Sequence, residues 1–143
     1  MKKIIIQIDS REKKPFAFKG NYTEVKNLKT GDYSIKGAAT NGICIERKSL
    51  DDFFNTLTKS NNAKRFEKEM SRMKPFFFKC VVVEALPERI LSGHYKCKAS
   101  GQNVLNYFLK LCVTFQVSPI FCNGRKEAEK MTLELLNAYH VSF

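Results

Sequence analysis

The sequence predicts an α/β protein in which a central mixed β-sheet is flanked by helices. Short extended segments follow one another in the first third of the chain, and strand and helix patterns alternate after them. Two apolar runs, KIIIQI and FFFKCVVVEA, have the length and composition of strands buried on both faces. Locally paired strands followed by strands that alternate with helices are typical of this class. The 143 residues have the length of one domain, so we expect a single domain over 1–143.

The N-terminal part is expected to hold four strands. KIIIQI ends at Asp9, and the charged, proline-containing segment REKKPFAFKGN that follows predicts a loop. Three extended segments come next, YTEVKNL, DYSIK and GICIERK, separated by Thr30 and Gly31 and by the loop GAATNG. Because these segments are short and closely spaced, we expect them to form a small meander.

Helical patterns dominate the remainder. Ser49 is a plausible N-cap for SLDDFFNTLTK, with Asp51 and Asp52 in the first turn. NAKRFEKEMSRM and GQNVLNYFLKLCVTFQ show apolar residues at helical spacing, and SPIFC predicts a last strand. A final helix is predicted over 125–139, with its apolar face formed by Ala128, Met131, Leu135, Leu136 and Tyr139.

The charge of the chain indicates a polyanionic partner. Twenty-five Lys and Arg stand against 14 Asp and Glu, which gives a net charge of +11 and favours nucleic acid over an acidic membrane. No apolar run approaches the ~20 residues that span a bilayer, and MKKIIIQID turns acidic too soon for a signal peptide. We expect a soluble protein in the cytoplasm of a prokaryote or of a cell infected by a virus, or in the nucleus of a eukaryote.

Cysteine usage agrees with a reducing compartment. The five cysteines are odd in number and include no CxxC pair, so free thiols are the simplest interpretation. His94 and Cys97 have ligand spacing, but no second pair accompanies them, and we therefore do not expect a zinc site.

Two carboxylates and a lysine are expected to converge on the third and fourth strands. Residues two apart on a strand share a face, so Glu46 and Lys48 point to the same side. If their strand runs antiparallel to the one that starts at Asp32, Asp32 lies beside both. Adjacent carboxylates repel unless a cation lies between them, and hard oxygen ligands suit Mg²⁺ or Mn²⁺. The lysine could orient the attacking water or stabilise charge at phosphorus, which suits phosphodiester hydrolysis.

The motif is longer than this triad. GDY followed by IERKSLDD resembles the motif GD…ERKxxxD of the XPF-type structure-specific nucleases, the family that includes the archaeal Hef nuclease domain. Gly31 and Asp32 match its first part, 46–48 match its triplet, and Asp52 matches its last aspartate. IDSRE is similar to the cluster that ends the family's first strand, and NAKRFEKEMSRM and VVVEA are similar to the helix and strand that follow its active site. These segments cover most of the chain.

The resemblance implies a restriction-endonuclease-like fold and a Mg²⁺- or Mn²⁺-dependent DNA endonuclease that acts on branched, flap or junction DNA in repair or recombination. Asp32 and Glu46 would ligate the metal, and Lys48 would activate the attacking water. Asp9 and Glu12 would add acidic groups, Asp52 would brace the site, and Glu84 is a further candidate. The residues implied to contact or steer DNA phosphates are Arg11, Arg47, Lys59, Lys64 and Arg65.

The resemblance also bears on assembly. Many relatives carry a helix–hairpin–helix module after the nuclease domain and some a helicase before it, whereas we expect neither here. The family tends to dimerise through the last helices of the nuclease domain. KEAEKMTLELLNAYH has a wide apolar face that includes Leu133. We therefore expect a homodimer that forms through the C-terminal helices.

Alternatives remain open at this point. The chain could be a Holliday-junction resolvase or exonuclease of the same broad fold, or a non-catalytic DNA-binding partner. The triad could be a surface ion pair that contributes about 1 kcal/mol or less. Asp51 and Asp52 could serve helix capping alone. Arg47 could tether the loop to a nearby carboxylate, and Lys59, Lys64 and Arg65 could form a solvated helix face.

Overall fold

A computed structural model describes residues 3–143, which form a six-stranded sheet with helices on both faces. The strands lie in the order β2-β1-β3-β4-β5-β6. The strands are β1 (Ile5–Asp9), β2 (Tyr22–Lys26), β3 (Tyr33–Ile35), β4 (Ile43–Lys48), β5 (Phe78–Val83) and β6 (Ser118–Phe121). The helices are α1 (Leu50–Thr58), α2 (Ser60–Met73), α3 (Pro87–Leu91), α4 (Gly101–Phe115) and α5 (Arg125–Ser142).

The sheet is mixed, as predicted. β3 pairs antiparallel with both β1 and β4, whereas β4, β5 and β6 run parallel to one another. The predicted meander is wrong in one respect, because β2 runs parallel to β1 and does not neighbour β3. The physical reason is burial. β1 is almost wholly buried and needs a neighbour on each side, whereas β2 is largely exposed and suits an edge.

Two apolar layers cover the sheet. One contains the inward faces of α1, α2 and α4, and the other contains α5 together with aromatic residues of the segment 10–21. β5 contributes to both layers, since Val81 and Val83 belong to the first and Cys80 and Val82 to the second. This alternation follows from the two-residue period of a strand. It explains why the apolar run of β5 is continuous.

The helix boundaries follow from capping. Ser49 Oγ accepts a hydrogen bond of 3.1 Å from Asp52 N, which confirms the predicted N-cap of α1. Ser100 Oγ accepts an equivalent bond of 3.1 Å from Asn103 N at the start of α4. α2 begins at Ser60, two residues before the predicted segment, and the short α3 was not predicted.

The predicted apolar face of α5 is only partly correct. Ala128 and Leu136 are fully buried, as is Thr132 between them, whereas Met131 is 37% exposed. Thr132 is tolerated in the core because its hydroxyl donates a hydrogen bond to the Ala128 carbonyl oxygen. Within residues 3–143, no helix combines the length and the hydropathy that crossing a bilayer requires.

Candidate active site

The β3–β4 hairpin brings the two motif carboxylates together. Asp32 precedes β3, and its amide donates to the Ile45 carbonyl oxygen at 2.8 Å. The amide of Arg47 in turn donates to Asp32 Oδ2 at 2.8 Å. The antiparallel pairing expected from the sequence is therefore present, and it places Asp32 beside Glu46.

Gly31 allows this close approach. Its φ is +83°, a conformation that residues with a Cβ rarely adopt. A Cβ at this position would also lie 2.5 Å from Cys44 Sγ and 3.2 Å from the Ile45 carbonyl oxygen. The glycine of the GD motif is thus required by the backbone that presents Asp32.

Glu46 is the most deeply buried acid of the motif. It is 4% exposed, and its Oε2 atom has no hydrogen-bond partner. Burial raises the pKa of the Glu46 carboxyl well above its ordinary value, and the negative charge of Asp32 and hydrogen-bonding contact with Asp32 and Glu69 raise it further. The carboxyl groups of Glu46, Asp32 and Glu69 are therefore close enough to oppose one another's ionisation when no cation is bound.

Glu69 was not predicted as a site residue. It lies on α2 and lines a cavity of about 250 Å³ together with Asp9, Arg11 and Asp32. A signal was present in the sequence, because Glu69 lies three residues after Phe66 and four before Met73. Those two side chains are buried, so the helical period turns Glu69 towards the sheet.

Lys48 follows Glu46 on the same side of β4. Burial opposes its charged form, but the neighbouring carboxylates, above all Glu46 and Glu69, outweigh this effect and raise the pKa of Lys48. Its Nζ lies 5.0 Å from the centroid of the Phe66 ring. Lys48 is therefore a cation that lies against Phe66 at the edge of the acidic cluster.

Asp9 and Arg11 form a pair at the end of β1. Arg11 Nε donates to Asp9 Oδ2 at 2.9 Å, and the Leu28 amide donates to Asp9 Oδ1 at 3.0 Å. The side chain of Asp9 is 4% exposed, whereas that of Arg11 is 66% exposed. The Asp9 carboxylate raises the pKa of Arg11 through this hydrogen bond. Asp9 therefore borders the acidic cavity, and Arg11 compensates its negative charge.

Arg47 points away from Glu46 and is buried among carboxylates. It forms ion pairs with Glu84 and Glu12, donates to the Lys14 carbonyl oxygen at 3.0 Å and lies 4.8 Å from the Phe16 ring centroid. Its side chain is only 8% exposed. This geometry favours the tethering alternative over contact with phosphate, and it makes Glu84 a partner of Arg47.

Glu12 pairs with Arg47 and is close enough to Asp32 for the two charges to interact. Its Oε1 is 3.5 Å from Arg47 Nη1, and its Oε2 is buried without a hydrogen-bond partner. Burial and the charge of Asp32 raise the pKa of Glu12, although Arg47 opposes the shift.

The remaining predicted residues lie on α1 and α2. Asp52 is exposed in the first turn of α1, and its charge acts on Lys48. Lys59 joins the two helices and lines a second cavity with Asp52. Lys64 is exposed, and Arg65 is exposed with its guanidinium bonded to Asn62.

The residues at the site fit a divalent cation bound by two carboxylates. Among residues 3–143, no three acidic, histidine or cysteine side chains are arranged as a metal cage. Asp32 and Glu46 supply hard oxygen donors, and a buried carboxylate oxygen without a partner is costly unless a cation compensates it. Mg²⁺ characteristically uses one or two carboxylates and retains water or phosphate as its other ligands.

The mixed sheet and the acidic hairpin at its centre define an α/β protein of the restriction-endonuclease-like class. Residues 8–135 match the family model described as the ERCC4 domain. The chain therefore belongs to the ERCC4 domain family, and the resemblance to XPF-type nuclease domains that its motif indicated is confirmed.

Solved structures of XPF from Aeropyrum pernix share the fold. XPF from Aeropyrum pernix is 18% identical, with a TM-score of 0.72 over 94% of this chain and 60% of that chain. XPF from Aeropyrum pernix in complex with DNA is 17% identical, with a TM-score of 0.74 over 98% of this chain and 66% of that chain. The present chain therefore spans 60% and 66% of the lengths of these two structures. No curated protein matches the sequence significantly.

Proposed function

We propose that this protein is a metal-dependent DNA endonuclease that hydrolyses phosphodiester bonds, with Mg²⁺ or Mn²⁺ as its cofactor. The observation that carries the proposal is the convergence of Asp32, Glu46 and Lys48, with the unpartnered Oε2 of Glu46 inside the acidic cluster. Membership of the ERCC4 domain family supports the same conclusion.

The side chains divide the chemistry between them. Asp32 and Glu46 would hold the metal, which when bound supplies Lewis acidity and a more acidic water. Lys48 remains protonated because carboxylates surround it, so it donates hydrogen bonds to the attacking water or to a phosphate oxygen. Its charge then stabilises the negative charge that develops at phosphorus.

DNA is the proposed substrate, in a branched, flap or junction form. The net charge of +11 and the exposed Arg11, Lys64 and Arg65 provide a positive surface for phosphates. The similarity of the fold to a structure of XPF in complex with DNA supports this choice.

The decisive experiment is cleavage of labelled flap, fork, Holliday-junction and duplex DNA in Mg²⁺, Mn²⁺ or EDTA, for the wild type, Glu46→Gln and Glu134→Gln. Glu134 is exposed on α5, so its variant is a matched control for the loss of a carboxylate. We expect metal-dependent cutting that Glu46→Gln abolishes and Glu134→Gln retains. Calorimetry with Mn²⁺ should show weaker binding to Glu46→Gln.

The opposite results are equally informative. Cutting in EDTA, or full activity of Glu46→Gln, would contradict the proposed site. Tight binding of DNA without cutting under every condition would favour a non-catalytic DNA-binding partner of nuclease fold.

We also propose that the protein is a homodimer formed through its C-terminal helix. Three apolar side chains near the end of α5 are highly exposed: Phe77 by 68%, Val141 by 65% and Phe143 by 73%. The ring centroids of Phe77 and Phe143 lie 4.7 Å apart, so these two side chains form one patch. Exposed contiguous apolar surface is typical of association sites. Leu133, by contrast, already packs partly against the chain's own core.

A further inference from the structure

Three aromatic rings form a stack that leads from the core to solvent beside the acidic site. Phe54 is 1% exposed, His94 is 8% exposed and Tyr95 is 84% exposed. The ring centroids of Phe54 and His94 lie 5.3 Å apart at 33°, and those of His94 and Tyr95 lie 4.9 Å apart at 22°. Tyr95 therefore extends the stack outwards.

Hydrogen bonds fix the middle of the stack. His94 Nδ1 accepts from the Lys96 amide at 3.2 Å, which leaves Nε2 as the donor to Asp51 Oδ1 at 2.6 Å. The His94 carbonyl oxygen accepts from the Cys97 amide at 2.9 Å, and Arg89 Nη1 binds the Gly93 carbonyl oxygen at 2.9 Å. The outward position of Tyr95 is thus imposed by a well-bonded loop.

A cavity of about 350 Å³ lies next to the stack. The residues that line it include Asp51, Asp52, Lys59, His94 and Lys96. Asp52 is the residue whose charge acts on Lys48, so the cavity adjoins the proposed reaction centre. Lys96 Nζ lies 5.3 Å from the Tyr95 ring centroid, and the hydrogen bond that the Lys96 ammonium donates to the Tyr95 hydroxyl raises the pKa of Lys96.

We propose that Tyr95 is a stacking platform for an unpaired DNA base, with Lys96 and Lys59 contacting the neighbouring phosphates. Aromatic side chains that alternate with cations are how proteins hold single-stranded nucleic acid, because every base has a face that can stack. The inference rests on the proposed nuclease function and names the substrate feature: a single-stranded segment adjoining the duplex that is cut.

The chain provides a matched control in Tyr22. This tyrosine is 60% exposed and has Lys3 Nζ 5.5 Å from its ring centroid. It pairs with Ile5 at the opposite end of β1 from Asp9, far from the acidic cluster. A general effect of an exposed tyrosine beside a lysine would appear at both positions.

The test measures binding in EDTA, where cutting does not interfere. Fluorescence anisotropy would give the dissociation constants of a flap DNA and of a blunt duplex of equal length for wild type, Tyr95→Ala, Tyr95→Trp and Tyr22→Ala. We expect Tyr95→Ala to weaken flap binding by roughly 5- to 100-fold and to leave duplex binding within about twofold. Tyr95→Trp and Tyr22→Ala should bind both substrates as the wild type does.

A spectroscopic readout reports stacking directly. A 2-aminopurine placed in the unpaired arm should lose fluorescence on binding to the wild type and keep it with Tyr95→Ala. Flap binding by Tyr95→Ala equal to that of the wild type would overturn the platform. Equal losses on flap and duplex, or an equal loss in Tyr22→Ala, would overturn it as well.

Cleavage of the same flap in Mg²⁺ separates this inference from the proposed function. Cutting combined with unchanged binding by Tyr95→Ala would refute the platform and leave the nuclease standing. A selective loss of flap binding in a protein that never cuts would support the platform and refute the nuclease.

Discussion

At the scale of single residues, two arginines pair with carboxylates in very different surroundings. Arg47 lies between Glu84 and Glu12 with all three side chains largely buried. Arg11 pairs with the buried Asp9 but is itself 66% exposed. The cost of removing an arginine depends on whether water can replace it, so the two sites should respond very differently.

We predict that Arg47→Ala lowers the free energy of unfolding by about 3–5 kcal/mol, because it leaves two buried carboxylates without their cation. Arg11→Ala should cost less, since the side chain of Arg11 is 66% exposed and the Leu28 amide still donates to Asp9. Urea unfolding measures both values. Equal losses in the two variants would mean that Arg47 is not the tether described.

Lys48 allows chemistry to be separated from binding. Lys48→Met keeps an unbranched stem against Phe66 but removes the charge. We expect cleavage to fall by about 10²-fold or more while the affinity for DNA changes by less than about twofold. Lys68→Met, at an exposed position of α2, is the control that should retain activity. A parallel loss of affinity and cleavage would make Lys48 a binding residue.

Glu46 should make stability depend on pH when no metal is present. Because its pKa is raised in the folded protein, the folded state keeps a proton that the unfolded chain releases above the ordinary value of 4.5. The associated stability is fully present below that value and is lost as the pH rises through the folded pKa. In EDTA, the wild type should therefore lose stability as the pH rises above about 4.5 in a way that Glu46→Gln does not. Identical pH profiles in urea unfolding would contradict this.

The spacing of residues could predict the hairpin part of the site but not all of it. Asp32, Glu46 and Lys48 lie on two strands joined by a short loop, so local pairing decides their positions. Glu69 comes from α2, and its place depends on how that helix packs against the sheet, which spacing in the chain does not specify. For Arg47, contact with phosphates and tethering to a carboxylate were both open from the sequence, because the sequence does not show that Glu84 and Glu12 lie beside it.

At the scale of elements, the local signals predicted most helices and strands, while the neighbour of each strand depended on the whole sheet. Ser49 marks the start of α1 because capping is a local hydrogen bond. The position of β2 was not predictable in the same way. The residues of YTEVK do not specify whether this strand pairs in parallel with β1 or with the next strand in the sequence.

We predict that Ser49→Ala and Ser100→Ala each lower the free energy of unfolding by about 1 kcal/mol, because each removes the acceptor for an amide in the first turn. Ser10→Ala, in an exposed turn after β1, should be nearly neutral. Urea denaturation compares the three. Losses of similar size in all three variants would show that capping is not the cause.

At the scale of the whole molecule, the helices on the two faces of the sheet differ in the apolar surface that they expose. α4 covers one face and exposes Val113 by 80%, an isolated apolar side chain of an ordinary kind. α5 covers the other face and ends at the patch of Phe77 and Phe143, whose ring centroids lie 4.7 Å apart. Only the second surface has the continuity that association requires.

We predict that sedimentation velocity finds a dimer for the wild type and a monomer for Phe77→Asp combined with Phe143→Asp. Val113→Asp, which also places a charge on an exposed apolar position, should remain dimeric. A monomeric wild type, or a dimer that Val113→Asp disrupts, would contradict the proposed interface.

The contact between the Arg47 amide and Asp32 has a consequence for how the motif tolerates variation. The atom that positions Asp32 belongs to the backbone, and every residue except proline can provide it. The side chain at position 47 meanwhile bonds to Glu84 and Glu12 on the other side of the strand. Arg47, Glu12 and Glu84 could therefore be substituted together without displacing Asp32. A homologous protein with another residue at position 47 could still present the same carboxylate.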